Sequence, residues 1–234
     1  MKKLLLGLLI LVFAFQVFAG SQQASSVLAS TIITNARYIL NDTDSSSYFW
    51  SDAELLVWLN DGQRDIAGKA QCYEATESVT LSSGLLEYAV QTAYLKIKAV
   101  LYTDSSSNKI ALEKGSPEDV GKTGQSFDAS SLREPHFWYE FGGYVGIYPT
   151  IATVSTTTPE TAILYLVKRP SDLASTDTVV LPAQYDKALT LYIVAQALMK
   201  DRQNQKYAQA KADYDAEMSL YRQDFNEFKI NQPQ

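Results

Sequence analysis

Chemistry in this chain would have to pass through very few side chains, because His136 is the sole histidine and Cys72 the sole cysteine among 234 residues. A Ser-His or Cys-His nucleophilic pair would need His136, and Pro135 and Phe137 on either side place it at an ordinary loop-to-strand junction. One cysteine excludes an internal disulfide and a cysteine-rich zinc site. The cluster Asp42-Thr43-Asp44 lacks the glycine and the distal glutamate of a calcium loop, so it reads as a solvated turn. Gly121-Lys122-Thr123 invites comparison with a phosphate-binding loop, but counting from Gly115 the second glycine should fall at Val120. Pro117, Glu118 and Asp119 would also put negative charge where phosphate should lie. Glu54, Asp61 and Asp65 share a helix at spacings typical of a solvated acidic face. We therefore assign no catalytic residue, no cofactor-binding residue and no metal ligand.

The one constellation that stands out is apolar. Tyr214, Met218, Tyr221, Phe225 and Phe228 follow one another at steps of four, three, four and three, the seam spacing of a helix packed lengthwise on another. We take these five as the candidate subunit or partner interface; the competing reading is that they cover the core of their own domain. Fifteen tyrosines, nine phenylalanines and three tryptophans support an assembly role, since an amphipathic ring packs at one end and stays wet at the other.

The elements that must position this stripe are legible. Leu28, Ile32, Ala36 and Ile39 lie on one face of a helix expected over residues 24–40, and the polar run Asn41 to Ser47 stops it. Ser51-Asp52-Ala53-Glu54 is a capping box with an aromatic before it, so a second helix should begin at Ser51 and run to about Lys69. The middle changes character. Val79 to Leu81, Leu85 to Val90, Tyr94 to Tyr102, Lys109 to Leu112, Phe137 to Tyr148 and Ala162 to Lys168 are short runs rich in Val, Ile, Tyr and Phe, with Gly142-Gly143 marking a bulge or tight hairpin. Tyr94 to Val100 alternates apolar with charged, as a half-buried strand should. Past Pro182 helix returns, apolar on nearly every face from Ala188 to Met199, broken at Asp201 to Asn204, then carrying the aromatic stripe.

The fold class is therefore α+β: a four-helix core from residues 24–70 and 182–229, a central antiparallel β-rich insertion over 73–180, and a tail at 230–234. Residues 1–19 stand apart, with Lys2-Lys3, an apolar run from Leu4 to Phe15, and Val17 and Ala19 before Gly20, which is the grammar of a cleavable secretory signal. The apolar run is shorter than the about 20 residues a membrane span needs, so stable membrane anchoring is not expected. Net charge is −6, and without those residues eighteen basic side chains face twenty-six acidic ones. Tight phosphate binding needs a basic stripe that this chain lacks, which disfavours a tight nucleic-acid binder.

Three stretches, in order, resemble the head-to-tail adaptor (connector, head-completion) proteins of tailed bacteriophages. The first is Ala36-Arg37-Tyr38-Ile39-Leu40-Asn41-Asp42 followed by Trp50-Ser51-Asp52-Ala53-Glu54-Leu55-Leu56 and on through Trp58-Leu59-Asn60-Asp61-Gly62-Gln63-Arg64-Asp65-Ile66. The second joins Gly146-Ile147-Tyr148-Pro149 to Tyr165-Leu166-Val167-Lys168-Arg169-Pro170, and the third is Leu181-Pro182-Ala183-Gln184-Tyr185-Asp186. The resemblance implies a structural virion protein with no enzymatic activity and no cofactor. It implies a homo-oligomeric ring, commonly of twelve copies, assembled in the host cytoplasm between the portal protein and a tail or nozzle protein. Double-stranded DNA would pass through its lumen without sequence-specific contact. The signal-like start departs from that pattern and keeps open an exported, non-catalytic binding protein built on the same fold.

Overall fold

The computed structural model describes residues 24–118, 134–151 and 159–230, with side chains described as far as Tyr221 in the last helix. Helix α1 spans Ala29–Leu40 and helix α2 spans Asp52–Ala70. Asn41 ends α1 in the left-handed region at φ 56°, a conformation that asparagine tolerates, and its N–H closes the last turn onto Arg37 and Tyr38. Ser51 caps α2 as the spacing requires, its Oγ accepting the Glu54 N–H at 3.2 Å. Only that half of the capping box is used, because the Glu54 carboxylate pairs with Lys200 instead.

The expected helix over 24–40 is shorter than the periodicity suggested. Residues Ala24 to Leu28 are extended, bridging antiparallel to Pro182 and Thr178, with Ser25 N–H donating to Leu181 O and Val179 N–H to Val27 O. A backbone partner outside the segment outcompetes local helical bonding, which propensity alone cannot overrule.

Among its described residues the insertion forms eight strands: β1 Glu74–Thr80, β2 Glu87–Ala89, β3 Tyr94–Thr103, β4 Lys109–Ala111, β5 Glu113–Lys114, β6 Phe137–Phe141, β7 Tyr144–Tyr148 and β8 Thr161–Lys168. They make two four-stranded sheets, ordered β1-β8-β3-β4 and β2-β7-β6-β5, antiparallel except for the β5–β6 pair. Gly142 and Gly143 turn the β6–β7 hairpin at φ 58° and 86°, values a side chain would resist. Strand β3 does not alternate as its sequence suggested. Register shifts at Tyr94/Lys96 and Ile97/Ala99 bury Ile97 and Val100 but leave Leu95, Lys98 and Ala99 outside. The inner faces share one core, with Val100, Leu164 and Leu166 from the first sheet against Trp138, Val145 and Ile147 from the second.

Pro182 leads into a 3-10 turn, Ala183–Tyr185, then helix α3, Asp186–Lys200, and helix α4, Asn204–Ile230. A separate core forms among the helices, from Ile32, Leu55, Leu59, Ile66, Leu189, Ile193, Tyr185 and Tyr214. Helix α3 buries most of its length, though Met199 at its end is half exposed. Gly62 permits its approach to α2, since a Cβ there would lie 2.8 Å from Leu189 and 2.9 Å from Tyr192.

Candidate functional site

The aromatic stripe on α4 divides. Tyr214 and Met218 are 1% and 4% exposed and belong to the helical core. The Tyr214 hydroxyl donates to the Asp65 carboxylate on α2, and its ring meets Tyr192 edge-on with centroids 5.5 Å apart. Burial, then the bond to Asp65, raises its hydroxyl well above the usual tyrosine range. Tyr221 is half buried beside Tyr185 at 5.1 Å, and its hydroxyl donates to Glu217 at 2.9 Å. Glu217 also takes a 2.7 Å ion pair from Lys187, which holds its carboxyl below the ordinary value. The side chains of Phe225 and Phe228 lie outside the described residues, as does Gly121-Lys122-Thr123 and the signal-like segment over residues 1–19.

The other chemistry-bearing residues are dispersed. His136 is exposed at the start of β6, its backbone tying Tyr148 to Glu113. Cys72 is buried, and that burial pushes its thiol up to about 12, far from a reactive thiolate. Of the three helical acids read as a solvated face, Asp61 is exposed and pairs with Arg64, while Asp65, paired with Lys69 and Tyr214, and Glu54, paired with Lys200, are half buried. Among the described residues no three His, Cys, Asp or Glu side chains gather as a metal site would need.

Asp42 is a correction. Its side chain is buried, not a solvated turn, and it holds Arg37, which is 4% exposed. Arg37 also reaches Asp52 at 2.7 Å and the Trp50 carbonyl at 2.8 Å, while the Tyr48 ring lies 3.6 Å from the guanidinium. Asp42 in turn accepts the Phe49 N–H at 2.8 Å. This clasp fixes the α1–α2 loop beside a cavity of about 320 Å³ lined by Ser30, Thr34, Arg37 and Tyr38. Sequence reasoning missed it; the available signal was an arginine on the apolar face of α1 with three aspartates, Asp42, Asp44 and Asp52, within the next fifteen residues.

The side of the second sheet away from the shared core is aromatic and partly covered, with Tyr139 and Tyr148 each 3% exposed in a small cluster with Leu86 and Phe137. On β6 and β7 the pairs Phe137↔Tyr148, Tyr139↔Gly146 and Phe141↔Tyr144 lie on the side away from the shared core. Tyr139 covers Gly146 so closely that a Cβ would sit 2.1 Å from its ring, and its hydroxyl donates to Glu87 at 2.9 Å. Phe141 is 68% exposed at the hairpin tip, with Tyr144 and Leu85 about half exposed.

The molecule is thus a helical bundle carrying a two-sheet insertion, with Phe141 and Tyr144 exposed at a hairpin tip. Residues 28–232 match the family described as SU10 adaptor protein, and the chain belongs to that family. No curated protein matches it. Among solved structures it is similar to a chain of the "Neck of empty GTA particle computed with C6 symmetry", at 11% identity and a TM-score of 0.29, covering 74% of this chain and 81% of that one. No helix among the described residues is long and apolar enough to cross a membrane.

Proposed function

We propose that this adaptor is a structural virion protein at the head-to-tail junction of a tailed bacteriophage, where copies form a ring between the portal protein and a tail or nozzle protein. The observation that carries this reading is family membership over nearly the whole chain after residue 27. The ring surrounds a channel for double-stranded DNA, and a net charge of −6 suits a lumen that lets phosphate slide rather than grips it. The α4 stripe contributes to subunit contact in this reading. Because Tyr214 and Met218 are committed to the chain's own core, that contribution falls to Tyr221, Phe225 and Phe228 toward the end of the helix.

Deleting the gene tests the role. Filled heads without attached tails are the expected product, with the protein present in wild-type particles by mass spectrometry. Its absence from particles would overturn the assignment. The same spectrum reads the N-terminus, and a chain beginning near Gly20 in the medium or periplasm would favour the exported binding protein that the first nineteen residues suggest.

A further inference from the structure

The two outer faces of the β insertion are opposite in charge. On the first sheet, register places Lys96 and Lys109 outward together with the half-exposed Tyr165, and Lys98, in the β3 bulge, reaches the one outward glutamate, Glu74. On the second sheet, the outward positions of β2 and β5 carry Glu87 and Glu113, those of β6 and β7 carry the exposed Phe141 and Tyr144 beside the buried Tyr139 and Tyr148, and none carries a lysine or arginine. The sheets share their inner core, so these faces point to opposite sides of the same arm.

We propose that neighbouring copies of this chain associate head to tail through these faces, the lysine face of one arm seating on the aromatic and acidic face of the next. This rests on the ring reading above and adds its contact surface. Three features favour a second copy as the occupant. The charges are complementary, which sets register and suppresses wrong pairings. Lysine stems and ammonium groups pack well on exposed rings such as Phe141 and Tyr144. Faces on opposite sides of one body make a heterologous contact, the kind that closes into a ring when the rotation between copies allows it.

Size bounds the strength. Strands of three, five, five and two residues in the second sheet, about 4.8 Å apart at ~3.3 Å per residue, present roughly 240 Å², against about 800 Å² per partner in a standard stable interface. Contact through the arm alone is therefore weak, and association should be concentration-dependent and weakened by salt.

The test uses charge reversal and mixing of the full chain. One variant carries Lys96→Glu with Lys109→Glu; the other carries Glu87→Lys with Glu113→Lys; wild-type circular dichroism confirms that each is folded. By sedimentation at low salt, each variant alone should need on the order of tenfold higher concentration than wild type to associate. An equimolar mixture should recover wild-type assembly, because each reversed face now meets an opposite one. Phe141→Ser, an exposed change at the hairpin tip, should weaken association without any charge effect. If wild type assembles but the folded variants assemble equally well, or the mixture fails to recover, the face pairing is wrong while the ring reading stands. Wild type that remains monomeric at every concentration overturns both.

Discussion

At the scale of single residues, Arg37 is the side chain whose loss should cost most. It is a buried guanidinium satisfied by Asp42, Asp52 and the Trp50 carbonyl, so Arg37→Ala leaves the buried Asp42 carboxylate with its charge unpaired. Removing one partner of a buried pair typically costs about 3–5 kcal/mol, a large part of a stability of roughly 5–15 kcal/mol. Urea denaturation should show that loss, and Arg37→Lys should recover little of it because a point charge cannot serve three acceptors in a fork. A loss below about 1 kcal/mol would mean the loop holds itself without the clasp. A second residue-scale prediction concerns Gly146. Gly146→Val would drive a side chain into the Tyr139 ring, so the near-ultraviolet aromatic signal should change and stability fall by about 1–3 kcal/mol.

At the scale of elements, the α3–α4 seam carries a pH signature. Glu217 is held below its ordinary value of 4.5 chiefly by Lys187, with Tyr221 adding a further hydrogen bond. A depressed carboxyl contributes stability above its unfolded value and loses it as pH falls through the folded one. Asp186, raised by burial, has the opposite sign: its contribution is present below the ordinary carboxylate range and fades as pH rises through the raised value. Glu217→Gln should therefore lower the midpoint of thermal unfolding slightly at pH 7, by an amount equivalent to roughly 0.5–1 kcal/mol given the exposure of Lys187. As pH falls from the ordinary carboxylate range through the lowered folded value the variant and the wild type should converge; a gap that widens on acidification would refute the assignment. Elements were also where the sequence was most legible. The Ser51 cap, the Gly142-Gly143 turn, the run Ala162 to Lys168 and the break at Asp201 all act through local chemistry, so their types and spacing suffice to find them. Strand β1, Glu-Ala-Thr-Glu-Ser-Val-Thr, was legible only at its Val79 end, because an edge strand with one open face needs little apolar content. The extended segment Ala24 to Leu28 and the bulges of β3 depend on partners more than sixty residues away, which periodicity cannot report. The same limit hid the division of the α4 stripe: spacing gave the seam, but only packing against Tyr192 and Asp65 shows that Tyr214 faces inward.

For the whole molecule the question is how two cores behave as one body. Helices and sheets each close their own apolar cluster, and the described links between them are few. Lys168 N–H reaches Tyr73 O at 2.7 Å, and Arg64 pairs with Asp172 at the surface, where such pairs contribute about 0–1 kcal/mol. The buried link is Asn60 on α2, whose amide accepts the Leu173 N–H at 2.9 Å and donates to the Leu173 carbonyl at 3.2 Å, clamping the segment that returns from β8. Asn60→Ala would strand both backbone groups away from water, at about 1–3 kcal/mol each. Because that cost falls where the chain returning from β8 enters the helical core at Leu173, it should loosen the coupling between the two cores. In hydrogen exchange with increasing urea, amides of β3 and β8 and those of α2 and α3 should open together in the wild type and separately in Asn60→Ala. Variant amides that still open as one set would place the coupling elsewhere, in the Tyr73 and Lys168 backbone contact.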